Sequence, residues 1–325
     1  MSHRFGLAAV TLIALGLSVM SPSTAMAIGA PELPANQHLF VVDCGSFQPQ
    51  LWSVDSTSGD STAVGDFPTD TTHCSLGGQT NPADGKPYFI TYSGTVYLTT
   101  VDTASGLVSK VVDFSGDQSF LWDIQFTNSG EAFATTSSSL YTLDLSTGET
   151  TLVGDFGVGL QTVGYSPKTD TLYGYSPLSG VAYTIDRSTG VATAVPEHNL
   201  VLPANYTCPD GTTHGLFVNH VVFDANGNPW FQNETCTSTL LVQDFSTGTV
   251  YYQGQFNDTA QSLYSNSPYY QFYTSAIFIT TDVAPAELPA TGALTEPGVT
   301  LGAVSAVGIG LGAIVIGVIR RRRLS

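Results

Sequence analysis

One pattern recurs five times between Asn36 and Asp282, and it leaves few folds open. An alternating apolar strand ends in Asp, a tight turn carries Ser or Thr and then Gly, and a second strand follows. The copies read QLWSVDSTSGDSTAVGDF, VYLTTVDTASGLVSKVVDF, SLYTLDLSTGETTLVGDF, VAYTIDRSTGVATAV and LLVQDFSTGTVYYQGQF. Their anchors are Asp55/Gly59, Asp102/Gly106, Asp144/Gly148, Asp186/Gly190 and Asp244/Gly248. Asp bonds its own backbone two residues on, and Gly supplies the positive φ of a tight turn. The flanking Val, Ile, Leu, Tyr and Thr suit a pleated, half-buried strand. Each copy therefore reads as a β-hairpin, with its Asp a turn residue rather than a calcium ligand.

A second element precedes each of the last four hairpins: TNPADGKPYFITY, FTNSGEAFATT, YSPKTDTLYGY and FDANGNPWFQN. Each is a turn leading into an aromatic-bearing strand, and a more apolar strand comes before it. Every unit then has four strands, and the Asp anchors lie 47, 42, 42 and 58 residues apart. Four-stranded units at this period are the mark of a β-propeller. The fold expected is all-β, with five blades and six as the alternative should QSLYSNSPYYQFY form a hairpin of its own. The first unit lacks its innermost strand. The last apolar strand, SAIFITT, is expected to supply it and so close the ring and remove its edges.

The two ends read differently from this body. Residues 1–27 have a positive Arg4, an apolar stretch from Phe5 to Val19 and the small-residue site Ala25-Met26-Ala27, the layout of a secretory signal. The ectodomain then spans 28–282, and a Pro/Ala spacer covers 283–298. Residues 299–319 carry no charge and are long enough to cross a membrane as a helix. The tail 320–325 opens with Arg320, Arg321, Arg322 and Arg323, which belong on the cytoplasmic side.

Within the spacer stands Leu288-Pro289-Ala290-Thr291-Gly292. This L-P-x-T-G motif, followed by the apolar segment and the arginines, resembles the sorting signal of cell-wall-anchored surface proteins of Gram-positive bacteria, the actinobacteria included. The resemblance covers roughly the last 40 residues and implies a sortase as partner. That enzyme would attack the Thr291 carbonyl, release Gly292 onward and pass Thr291 to an amine of peptidoglycan. Leu288 to Gly292 would be recognition residues, the helix a temporary membrane hold, and the mature location the cell wall.

Between the signal and Gly292 only Lys86, Lys110, Lys168 and Arg187 are basic, against 25 acidic residues, a net charge of −21. Such a surface repels nucleic acid and offers no phosphate-binding patch. The four cysteines, Cys44, Cys74, Cys208 and Cys236, form an even set in an exported chain and are expected to be oxidised. Three pairings are open, and Cys44–Cys74 with Cys208–Cys236 would join segments close along the chain.

A propeller's site usually lies in its central funnel. The funnel candidates are His73, Asp123, Gln161, His214 and His220. No compact metal motif accompanies the histidines, and no nucleophile, phosphate-loop or dinucleotide fingerprint stands out. The expectation is thus no metal, no cofactor and no catalytic residue. The leading reading is a binding or adhesion protein with an unidentified surface ligand, met by loops and by aromatics such as Tyr251, Tyr252, Tyr269 and Tyr270. A wall-attached glycosidase or lactonase-like hydrolase is the alternative. A glycosidase would need a carboxylate pair in the funnel, and Asp123, Asp224 and Glu234 are the carboxylates that stand outside the hairpin set, whereas a His/Asp/Asn cluster there would point to a metal enzyme.

Overall fold

The structure, a computed structural model, describes residues 29–43, 50–66, 74–92, 94–116, 120–202, 216–233, 239–256 and 274–282. The signal segment, the Leu288–Gly292 motif, the 299–319 segment and the basic tail lie outside the described residues. So do Cys44, Cys208, Cys236, His73, His214, Tyr269 and Tyr270, and with them the disulfide assignment.

Five sheets form five blades. Blade 1 holds β1 (Gln37–Asp43), β2 (Gln50–Val54) and β3 (Ser61–Asp66), with β21 (Thr274–Thr281) as its inner strand. Blade 2 holds β4 (Cys74–Thr80), β5 (Pro87–Tyr92), β6 (Val96–Val101) and β7 (Val108–Asp113). Blade 3 is β9 (Asp123–Phe126), β10 (Ala132–Thr135), β11 (Ser139–Leu143) and β12 (Glu149–Asp155). A two-residue strand, β8 (Ser115–Gly116), adds to blade 3 in parallel with β12, one strand more than the repeat suggests. Blade 4 is β13 (Thr162–Ser166), β14 (Thr171–Tyr175), β15 (Ala182–Ile185) and β16 (Ala192–Ala194). Blade 5 is β17 (Val218–Phe223), β18 (Pro229–Asn233), β19 (Thr239–Asp244) and β20 (Thr249–Gln255).

The ring closes as the incomplete first unit requires. Strand β21 pairs antiparallel with β1, Leu39 opposite Ile279 and Val41 opposite Ile277. Beyond the pairing, the Asp282 amide donates to the Asn36 carbonyl at 2.8 Å.

There is no single core. Apolar side chains gather in five clusters, one between each pair of neighbouring blades. Strand alternation feeds two of them from one strand: Leu39 and Val41 face blade 5 with Trp230 and Val242, while Phe40 and Val42 face blade 2 with Phe89. Strands near the axis are covered on both faces, so β9 and β13 are buried throughout, whereas outer β7 is half-buried or exposed throughout.

In every blade the turn Asp accepts from the backbone amides two and three residues on, and in four of the five it also takes a hydroxyl. In blade 1, Asp55 Oδ1 accepts from the Thr57 amide (2.8 Å), the Thr57 hydroxyl (2.6 Å) and the Ser58 amide (3.2 Å). Asp144, Asp186 and Asp244 repeat the hydroxyl bond with Ser146, Ser188 and Ser246. Asp102 lacks it because Ala104 stands at that place, and it keeps only the Ala104 and Ser105 amides.

The turn also explains the Gly next to the last residue of three outer strands. Gly65 lies against the Ser105 carbonyl of the next blade, Gly154 against that of Thr189 and Gly254 against that of Ser58, with no room for a Cβ at any of them. The turns of blades 2, 4 and 1 thus dock on the outer strand of the blade before them, and a strand bulge precedes each of these glycines. The Gly254–Ser58 contact joins the last blade to the first.

Candidate functional site

The inner strands β4, β9, β13, β17 and β21 surround the axis. Adjacent ones belong to different sheets, so side chains take up part of their backbone hydrogen bonding. Gln79 Oε1 accepts from the Phe126 amide (2.5 Å), Gln125 Oε1 from the Tyr165 amide (3.0 Å), and Thr162 Oγ1 from the Val221 amide (3.1 Å). These bonds tie blade 2 to 3, 3 to 4 and 4 to 5.

Two of the expected funnel residues meet on the axis. His220 Nε2, on blade 5, lies 3.1 Å from Asp123 Oδ1 on blade 3. Those blades are not neighbours, so the contact crosses the channel, and both side chains are buried, 1% and 2% exposed. The Asp123 carboxylate also accepts from the Ile124 amide (2.8 Å), Gln125 Nε2 (3.2 Å), the Thr162 hydroxyl (3.3 Å) and the Val163 amide (3.5 Å). All its other neighbours being donors, Nε2 carries a hydrogen toward it. The Gly78 amide also approaches Nε2, at 3.3 Å, but one nitrogen cannot both donate to Asp123 and accept from Gly78. His220 Nδ1 has no partner among the described residues. Gly77 is required here, because a Cβ would run into the Asp123 carboxylate.

The pair is thus a plug rather than an exposed acid and base. Gln161 stands beside it, half-buried, with its amide 3.5 Å from Asn219 Oδ1. Asp224, offered by the sequence as a carboxylate outside the hairpins, is fully buried in its own turn. It accepts from the Asn228 amide (2.8 Å) and the Trp230 indole (3.1 Å), and burial pushes its carboxyl above the usual range. Glu234 lies outside the described residues. Among the described residues no three His, Cys, Asp or Glu side chains converge as a metal set.

Where the inner strands finish, the funnel opens into a pocket of about 400 Å³. All five blades contribute: Gln37 and Ile279, Gln79 and Thr80, Phe126 and Asn128, Tyr165 and Pro167, Phe223 and Ala225. Apart from Asp282 at the rim, the lining is uncharged. Tyr165 is held rigidly. Its hydroxyl donates to Asp170 Oδ1 (2.6 Å) and accepts from the Asn128 amide (3.0 Å). Burial, and then the Asp170 bond, raise its pKa. Thr80 Oγ1 is buried without a partner, and the Gln79 amide nitrogen has none among the described residues. The sequence held no signal for this pocket, since each blade brings only two to four of its residues.

Fold and site together define a five-bladed β-propeller with a plugged channel and a neutral pocket at one mouth. No protein-family model matches the chain, and no curated protein matches its sequence. Among solved structures, it resembles a chain in a crystal structure of a nidogen/laminin complex, at 13% identity over 76% of this chain and 100% of that one, with a TM-score of 0.51. A protein of unknown function from Bacteroides caccae aligns at 13% identity over 76% and 99%, with a TM-score of 0.44. The calcium-binding protein regucalcin from Agrobacterium tumefaciens aligns at 15% identity over 75% and 72%, with a TM-score of 0.38. Likeness at these identities extends to the fold alone.

Proposed function

We propose that this chain is an exported surface protein, linked by a sortase through Thr291 to peptidoglycan, whose acidic propeller binds a carbohydrate or protein ligand at the mouth pocket. Support for the attachment is the order of Leu288–Gly292, the uncharged 299–319 segment and Arg320–Arg323. The observation that carries the binding reading is the pocket's make-up. Five blades supply uncharged hydrogen-bonding and aromatic groups, the usual lining of a recognition site. Asp123 and Asp224 are meanwhile withdrawn from solvent into internal hydrogen bonds.

Two measurements test this. A wall fraction released by muramidase but not by detergent, and ending at Thr291, is expected. Detergent extraction of a chain that keeps Arg320–Arg323 would leave a plain membrane protein. The exported chain is expected to be retained on a glycan array or by a surface-protein extract. Ala225→Trp, which fills the pocket from an exposed position, should abolish that retention. Release of free sugar from a polymer by the unmodified chain would overturn the binding reading in favour of hydrolysis.

A further inference from the structure

A second surface lies at the opposite end of the ring, where the inner strands begin. Tyr92 closes β5, while Phe120 and Trp122 lead into β9. The Tyr92 and Phe120 rings are 5.6 Å apart at 54°, and those of Phe120 and Trp122 5.5 Å apart at 69°. Tyr92 is 42% exposed and Trp122 36%. The core does not need them there. Of residues 120 to 122, Leu121 is the one that enters the cluster between blades 2 and 3, where it is fully buried beside Ile90, Leu98 and Ile124. Neither the Trp122 indole N–H nor the Tyr92 hydroxyl has a partner among the described residues. A large exposed aromatic cluster that packing does not demand marks a contact surface.

We infer that Tyr92, Phe120 and Trp122 form a stacking platform for a neutral saccharide. Three observations select that ligand. The rings touch one another, so no gap remains for an ammonium group to sit caged between them. The net charge of −21 over the exported part repels polyanions. What is left is two partly exposed rings, Tyr92 and Trp122, whose polar edges have no partner among the described residues, which matches a sugar ring that is apolar on one face and hydroxylated at its rim. The turn after β10 adds exposed hydroxyls at Ser137 and Ser138, and it is tied to the platform by the Trp122 amide donating to the Thr135 carbonyl at 2.7 Å.

The chain carries its own reporter. Of its three tryptophans, Trp52 and Trp230 are buried and Trp122 is not. Acrylamide quenching of the exported chain therefore reads Trp122. Neutral malto-, cello- and chito-oligosaccharides are the probes, with choline and a polyanionic polysaccharide beside them. At least one neutral oligosaccharide is expected to protect Trp122. Tyr92→Ala should weaken that binding roughly three- to tenfold, the share of one ring contact, with near-UV circular dichroism unchanged. Trp122→Phe should remove the signal while calorimetry still detects binding. No protection by any neutral saccharide, or protection by choline alone, overturns the platform. Ala225→Tyr, which fills the pocket from an exposed position without adding a tryptophan, separates the two sites. Protection that survives it belongs to the platform, and protection that it abolishes belongs to the mouth pocket and refutes the platform.

Discussion

Gly254 of the last blade lies against the carbonyl of Ser58 in the first, with no space for a side chain between them. The contact fastens the rim of the ring where β21 fastens its centre. Gly254→Val should therefore destabilise the fold by roughly 3 kcal/mol or more, as forced overpacking against backbone does. Gly159→Ala, where a Cβ meets nothing within 4 Å, should stay within about 0.5 kcal/mol of the parent. Urea unfolding of both variants checks this. Equal loss in the two would show that the rim contact is not what counts.

The plug on the axis predicts strong coupling. His220→Leu leaves the Asp123 carboxylate buried without its imidazole donor and should cost about 3–5 kcal/mol. The double variant His220→Leu with Asp123→Leu should recover a good part of that loss, because no unpaired charge remains. A double-mutant cycle with near-additive losses would mean that the two side chains act separately.

Much of this architecture was legible in the chain. The D-x-x-[ST]-G hairpins, their period and the missing first strand led to five blades and to SAIFITT as the closing strand, because these are local signals repeated at fixed spacing. The structure refines the turn itself: the second residue after Asp supplies the hydroxyl, at Thr57, Ser146, Ser188 and Ser246. Contacts between blades were not legible. Gln79 and Phe126, or Gly154 and Thr189, are 35 to 50 residues apart, and no local pattern joins them. Asp123 and His220 were both expected in the funnel, but their meeting depends on the width of the channel, which no strand encodes alone. Tyr251, expected as an exposed contact, packs on the cluster between blades 5 and 1 instead, whereas Tyr252 is exposed.

Ala104 offers a gain of stability. It occupies the one turn without the hydroxyl bond to its Asp. Ala104→Ser should restore that bond and raise the melting temperature, by roughly a degree or two for a chain of this size. An unchanged or lowered melting temperature would show that the hydroxyl adds nothing to the amide bonds already present.

His198 sets a pH dependence. Its ring stacks on Phe245 at 3.7 Å, and burial lowers its pKa below 6.5, opposed in part by Glu197. The unfolded chain thus takes up the proton first as pH falls. Stability from the neutral ring is complete above about pH 6.5 and is lost as pH drops through the lower folded value. His198→Phe keeps the stack and removes the titration. Its melting temperature should fall less than the parent's between pH 7 and pH 5.

The antiparallel pairing of β21 with β1 also has a mechanical consequence. The chain leaves the ring at Asp282, directly after β21, so tension on a tether there acts along that strand. Seven residue pairs from Gln37–Thr281 to Asp43–Thr274 then resist together in shear, rather than parting one at a time like a zipper. The closing strand of the ring is in effect its hawser, and a pull on the chain at Asp282 loads all of its pairs with β1 at once.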